Sequence, residues 1–161
     1  MGVNKNQPHV FVLPEDDANY QLATGFRLSL DWSVLGRIRV LPVAGGWLRV
    51  LERFLSDLVV DMERYPDRFT VLLIDFDGDA GRLNTAKNRI PDNLTERVFI
   101  LGAWSEPEEL KKAGLGSYEA IGSAMAQDCR DGTGTTWDHE LLRHNAGELA
   151  RLRERVRSIL F

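Results

Sequence analysis

One stretch of ten residues, 70–79, constrains the fold of this chain most strongly. It reads Thr-Val-Leu-Leu-Ile-Asp-Phe-Asp-Gly-Asp, a short apolar run that ends in Asp75, Asp77 and Asp79. Bulky and β-branched residues bounded by a turn-prone Asp-Gly predict a strand that is buried on both faces. Strands of this kind occur in parallel α/β sheets, which bind ligands at their carboxyl edge. We therefore expect the three acids to lie at the ligand-binding edge of a parallel sheet.

The rest of the chain alternates between strand and helix patterns. Apolar runs at residues 9–13, 37–43 and 97–101 predict three further strands. A helix capped by Asp16 or Asp17 is expected to run to about Ser33. Apolar residues at three- and four-residue steps predict a long amphipathic helix over residues 47–62. A short helix is expected within residues 81–93.

Further helices are predicted after the fourth strand. Ser105-Glu-Pro-Glu108 matches the capping-box pattern, which predicts a helix that runs to about Ala113. A second helix is expected over residues 116–129, and apolar residues at helical steps predict a third over residues 138–161.

This order of elements predicts a three-layer α/β/α fold with a mostly parallel central sheet of about four strands, followed by C-terminal helices. We expect a single domain over residues 1–161. Its core would span about 9–103, and a helical extension would span about 105–161.

Composition narrows the class of protein. The chain has 161 residues, a net charge of −4 and a single cysteine, Cys129, which cannot form an internal disulfide. The polar N-terminus has no secretion signal, and no apolar run reaches the roughly 20 residues of a membrane span. We therefore expect a cytoplasmic protein without membrane contact. Nucleic-acid-binding proteins usually carry a net positive charge. In this acidic chain, a local basic surface or a partner protein would therefore have to bind the nucleic acid.

A second acidic cluster follows the first predicted strand. Its members are Glu15, Asp16 and Asp17. If the first and third strands are neighbours, this cluster faces the three aspartates at the same edge of the sheet. Carboxylate oxygens are the ligands that Mg²⁺ and Mn²⁺ prefer. The sequence thus predicts a site in which the three aspartates hold one or two metal ions. Glu15 would complete the metal shell or act as general acid or base.

Four other residues are candidates for contact with a substrate or with the metal ligands. Gly45 and Gly46 let the backbone approach a ligand closely and place a helix N-terminus nearby. Lys87 and Arg89 follow the acids and could contact phosphate.

These motifs together resemble the Toprim domain of topoisomerases, primases and OLD-family nucleases. The resemblance covers about residues 9–103 and rests on a glutamate after the first strand, a glycine after the second and Asp-x-Asp-x-Asp after the third. At the first motif this chain differs from the family, because the usual Glu-Gly is replaced by Glu15-Asp16. The resemblance implies that Glu15 is a general acid or base and that Asp75 and Asp77 bind Mg²⁺. It also implies a nuclease, or a nuclease subunit that acts on nucleic acid beside a separate ATPase.

Other interpretations remain open. The first is a Toprim-like binding module without catalytic activity. The phrase Ile-Asp-Phe-Asp-Gly also resembles the nucleophile motif of haloacid-dehalogenase-type phosphatases, in which Asp75 would take up the phosphoryl group. However, that motif normally lies on the first strand, and Asp79 stands where Thr or Val is usual. A receiver-like signalling domain is a further alternative, although the chain lacks its Lys-Pro pair. The sequence does not predict the oligomeric state.

Overall fold

The central sheet is parallel throughout and has the order β2-β1-β3-β4 in a computed structural model that describes residues 2–161. Its strands are β1 (His9–Pro14), β2 (Ile38–Val40), β3 (Arg68–Leu73) and β4 (Val98–Leu101). The predicted fold class, a three-layer α/β/α arrangement with C-terminal helices, is confirmed. β1 and β3 pair over their whole length, from His9 opposite Arg68 to Pro14 opposite Leu73. The two strands that precede the acidic clusters are therefore neighbours.

The helices connect the strands and cover both faces of the sheet. Within residues 2–161 they are α1 (Asp17–Leu28), α2 (Trp47–Arg53), α3 (Val59–Arg64), α4 (Gly81–Arg89), α5 (Pro107–Lys112), α6 (Tyr118–Asp131) and α7 (Ala146–Leu160). A π-turn, Phe54–Leu58, joins α2 to α3, so these form the continuous helix predicted over 47–62. Short 3₁₀ turns at Trp32–Arg37, Asp92–Arg97 and Arg143–Asn145 complete the connections.

Each face of the sheet has its own apolar core, because successive side chains of a strand point to opposite faces. Val10 and Val12 of β1 pack with α1, α6 and α7. Phe11 and Leu13 of the same strand pack with α2, α3 and α4 on the other face. This burial on both sides explains why the predicted strands are continuous apolar runs.

Helices α1 and α6 pack at unusually close range. A Cβ atom added at Gly122 would overlap the carbonyl oxygen of Leu22, and one added at Gly25 would overlap the carbonyl oxygen of Glu119. The absence of side chains at these glycines lets the two backbones touch. The C-terminal helices are therefore packed directly onto the core that carries the acidic edge.

The outer edge of β4 is covered by side chains from the start of α7. The Ile100 N–H donates to Glu148 Oε2 at 3.1 Å, and the Gly102 N–H donates to Asn145 Oδ1 at 3.1 Å. Glu148 is buried and also pairs with Lys87 and Arg151. These contacts satisfy backbone groups that would otherwise offer an edge for pairing with another chain.

Several predicted boundaries were wrong. The last helix begins at Ala146 and not at residue 138, because residues 134–142 form turns that place Trp137 and Leu142 in the core. The second strand spans only Ile38–Val40, and the first helix ends at Leu28, before the predicted limit.

The predicted capping box at residues 105–108 is also absent. The helix α5 begins at Pro107 after an N-cap at Glu106 whose side chain makes no capping bond. The Ser105 carbonyl instead accepts a hydrogen bond from the Asp77 N–H at 3.2 Å. The helix thus begins one residue later than a cap at Ser105 requires, and the Ser105 Oγ has no hydrogen-bond partner among residues 2–161.

Candidate active site at the carboxyl edge

The two acidic clusters meet at the carboxyl edge of β1 and β3. The Glu15 N–H donates to the Leu73 carbonyl at 2.9 Å, which extends the strand pairing by one residue. The Asp75 N–H then donates to Glu15 Oε2 at 2.6 Å. The glutamate carboxylate is thus bound directly to the backbone of the first aspartate after β3.

The carboxylate of Glu15 lies in a partly desolvated position beside the N-terminus of α2. Burial raises the pKa of Glu15, and the charge of Asp16 raises it further, whereas hydrogen bonds from the amides of Asp75 and Trp47 and the charge of Arg82 lower it. The net effect is a pKa above the ordinary value. A carboxyl group whose pKa lies closer to neutrality is better suited to transfer protons near pH 7.

The predicted glycines shape the backbone beside Glu15. Gly45 and Gly46 have φ values of 91° and 148°, a region that favours glycine. The Gly45 N–H donates to the Glu15 carbonyl at 2.8 Å, and Gly46 is the N-cap of α2. These residues therefore position the Glu15 backbone and bring the α2 N-terminus next to its carboxylate.

Asp75 has the most strongly perturbed carboxyl group of the site. Burial raises its pKa to about 7, and the charges of Asp16, Glu15 and Glu108 raise it in the same direction, while a hydrogen bond from Asn19 opposes them. The site thus holds more negative charge than its present hydrogen-bond donors offset. Strongly perturbed pKa values in a group of this kind are typical of functional sites.

Asn19, which we did not predict, joins the two acidic clusters. It is 0 % exposed, and its Nδ2 donates to Asp75 Oδ1 at 2.9 Å and to Asp16 Oδ1 at 3.1 Å. Its own Oδ1 has no hydrogen-bond partner among residues 2–161. Its backbone N–H also donates to Asp16 Oδ1, which caps α1. The only signal in the sequence is the Asp-x-x-Asn spacing, which usually means no more than a helix cap.

Arg82, in the first turn of α4, is the second residue that the sequence did not indicate. Its NH1 donates to the Asp75 carbonyl at 2.7 Å, and its NH2 lies 3.5 Å from Asp77 Oδ2. The guanidinium also stacks on the Trp47 ring, with 4.8 Å to the ring centroid. It thus brings a positive charge into the acidic edge.

The other predicted acids are more exposed. Asp77 has a φ of 51°, and its side chain is 76 % exposed. Asp79 Oδ1 accepts a hydrogen bond at 2.8 Å from the N–H of Gly81, the first residue of α4. Asp17 is exposed in the first turn of α1. The structure therefore gathers Glu15, Asp16 and Asp75 but leaves Asp77 and Asp79 in other contacts.

Lys87 and Arg89 lie away from this edge. Both are in the last turn of α4, and a helix that connects two parallel strands returns to the amino edge of the sheet. Lys87 forms an ion pair with the buried carboxylate of Glu148. Neither residue is brought to the acids that precede them in the sequence.

The donor atoms of the site are of the chemical type that binds a hard cation, but their present arrangement does not form a metal site. Carboxylate oxygens and the unpartnered Asn19 Oδ1 are the ligand types that Mg²⁺ and Mn²⁺ accept. Among residues 2–161, however, no three acidic, His or Cys side chains converge closely enough to hold a metal ion as they stand.

No protein-family model, no curated protein and no solved structure matches this chain. In the part of the chain that the structure describes, no helix combines the length and the apolar character that a membrane span requires. The class of molecule is therefore defined by its own geometry: an α/β domain with a parallel sheet and an acidic carboxyl edge.

Proposed function

We propose that this protein carries out Mg²⁺-dependent phosphodiester chemistry on nucleic acid, as a Toprim-like nuclease or nuclease subunit. The observation that carries the proposal is the hydrogen bond from the Asp75 N–H to Glu15 Oε2, at 2.6 Å. It joins the acidic loops of two adjacent parallel strands at the edge where such sheets bind ligands.

The acids have two roles in this proposal. Asp75 and Asp77, with Asp79, would hold Mg²⁺ or Mn²⁺, which when bound neutralises charge on a phosphodiester. Glu15 is the general acid or base, since its raised pKa favours proton transfer near neutral pH. Asn19 orients the carboxylate of Asp75 through its 2.9 Å hydrogen bond.

Nucleic acid is the proposed substrate, although the chain as a whole is acidic. Its net charge of −4 means that sequence-independent attraction to phosphates is weak. A partner protein, such as an ATPase, would then contribute part of the binding affinity for the nucleic acid. The proposal therefore includes a nuclease subunit whose activity is greatest in a complex.

A second candidate function is a Toprim-like binding module without catalytic activity. It is favoured by the contacts of Asp77 with Arg82 and of Asp79 with the Gly81 N–H, which engage both carboxylates in other interactions. In this case the acidic edge would bind a partner rather than a reacting phosphate.

Titration calorimetry with Mg²⁺ tests the metal site. The natural protein should release or absorb a binding heat, and the double variant Asp75→Ala/Asp77→Ala should not. The matched control is Glu63→Ala/Asp92→Ala, which removes two exposed acids and should leave the heat unchanged. Absence of Mg²⁺ binding by the natural protein would refute the stand-alone enzyme.

Replacement of the glutamate separates the two candidate functions. Glu15→Ala should retain Mg²⁺ binding through the aspartates but lose cleavage of DNA or RNA in Mg²⁺ or Mn²⁺. A natural protein that binds Mg²⁺ yet cleaves neither polymer, with or without its partner, would instead favour the binding module.

A further inference from the structure

An apolar cavity lies in the core that α1, α6 and α7 form against one face of the sheet. Its volume is about 70 Å³, and all of its lining side chains are apolar, among them Ala23, Val71 and Trp137. The indole N–H of Trp137 already donates to the Met125 carbonyl at 3.1 Å, so it offers water no free donor. Because a buried water molecule needs polar partners, a cavity of this kind stays dry and accepts apolar groups.

A second and smaller cavity, of about 20 Å³, adjoins the first one. Four apolar side chains line both cavities, namely Phe26, Leu152, Val156 and Leu160. The smaller cavity is also lined by Arg157 and Phe161, which are exposed at the surface of the protein. The smaller cavity therefore lies on the path from the surface to the larger one, and we call the two the outer and the inner cavity.

Three arginines surround the outer cavity without an acidic partner. Arg153 and Arg157 line it, and the guanidinium of Arg130 lies over the Phe161 ring, 5.4 Å from the ring centroid. None of the three arginines forms an ion pair among residues 2–161. No acidic side chain lines either cavity. The entrance to the apolar cavity thus carries a local positive charge, which complements an anion.

Arg153 has a buried hydrogen-bond donor that the protein leaves unsatisfied. Its NH2 donates to the Thr133 carbonyl at 2.9 Å, but its Nε is buried and has no hydrogen-bond partner among residues 2–161. The Cys129 thiol, which lines the same cavity, is only a weak acceptor. A buried donor without an acceptor is unfavourable. A carboxylate would supply the acceptor, since its two oxygens match the planar fork of a guanidinium.

We infer that the two cavities together bind a short-chain aliphatic carboxylate. Its alkyl chain fills the inner cavity, and its carboxylate accepts hydrogen bonds from Arg153 and Arg157 at the outer one. The inner cavity has about half of the roughly 150 Å³ that accepts benzene, so it holds a chain of about three or four carbon atoms. The site uses none of the residues of the acidic edge, so this inference does not depend on the proposed function.

A series of carboxylates from propionate to octanoate, titrated at pH 7 and followed by NMR, tests the size of the site. The indole N–H signal of Trp137 should shift, whereas those of Trp47 and Trp104, which pack on the other face of the sheet, should not. Affinity should rise about fourfold with each methylene group up to butyrate or pentanoate and then level off. A rise that continues to octanoate, or a Trp137 signal that no carboxylate shifts, would overturn the inference.

The neutral amide of the same chain length tests the role of the arginines. The natural protein should bind pentanoate about tenfold more tightly than pentanamide, because only the acid carries a charge. Arg153→Gln should lose most of this preference and keep its affinity for pentanamide. Arg64→Gln, which removes an exposed arginine at the end of α3, should retain the preference. Equal affinity of the natural protein for acid and amide would refute an anionic ligand.

Two substitutions in the wall of the inner cavity test where the alkyl chain lies. Ala23→Leu adds three carbon atoms at the cavity, so pentanoate binding should be lost, and unchanged affinity would place the ligand elsewhere. Val156→Ala tests the inference if Ala23→Leu does not fold. It enlarges the cavity, so the affinity should level off at a longer chain than in the natural protein. An unchanged dependence on chain length in Val156→Ala would overturn the assignment.

Discussion

The pKa of Asp75 leads to a specific prediction about the cost of assembling the acidic edge. Burial and neighbouring acids raise this pKa from 3.8 to about 7. The folded protein thus favours the protonated carboxyl, whereas the unfolded chain ionises it at much lower pH. Stability from this group is fully present below about pH 3.8 and is lost as the pH rises to about 7. Asp75→Asn, which is neutral at every pH, should escape this loss.

The structure sets the size of the effect. One unit of pKa corresponds to roughly 1.4 kcal/mol, so a change from 3.8 to about 7 places an upper limit of about 4 kcal/mol on the penalty. Asp75 is only half-buried, and solvent screening reduces the penalty. We expect Asp75→Asn to be more stable than the natural protein by about 1–2 kcal/mol at pH 8 and by much less at pH 4.

Urea denaturation in EDTA, at half-unit steps from pH 4 to pH 8, measures this difference. The gap in unfolding free energy between Asp75→Asn and the natural protein should widen up to about pH 7 and then stay constant. Asp92→Asn, at an exposed position, should show no such trend. A gap that does not vary with pH would refute the conclusion that the folded site raises the pKa of Asp75.

Three further predictions concern the elements that support the site. Gly122→Ala should lower the midpoint of thermal unfolding by several degrees in calorimetry, because the new methyl group separates α6 from α1 and costs about 1–3 kcal/mol of stability. Gly147→Ala, where the added methyl group meets no other atoms, should leave the midpoint unchanged. Glu148→Ala should cost about 2 kcal/mol in urea denaturation, since the Ile100 N–H loses its acceptor, and equal stability would contradict this. Burial lowers the pKa of His9, whose Nε2 accepts a hydrogen bond from Arg68 Nε at 2.9 Å. The free energy of unfolding should therefore decrease as the pH drops below about 6.5, because the buried imidazole must then take up a proton. His9→Gln should lack this part of the pH dependence.

Much of the fold follows from local sequence pattern. The run Val71–Ile74 and its counterparts are continuous apolar segments, and a chain that alternates them with amphipathic helices can bury both faces only as a parallel sheet between helix layers. The place of Asp75 directly after a central strand follows from the same pattern. Element ends were less predictable, as residues 134–142 show, since the burial of Trp137 outweighs helix propensity there.

The site is only partly predictable for a physical reason. Sequence pattern places Glu15 and Asp75 at strand ends, but whether they meet depends on which strands are neighbours, and pairing of β1 with β3 decides that. Asn19 and Arg82 have ordinary local signals, a helix cap and a polar first turn. Their roles arise because α1 and α4 point their N-termini at the same sheet edge, and that convergence of distant segments exists only in the folded chain.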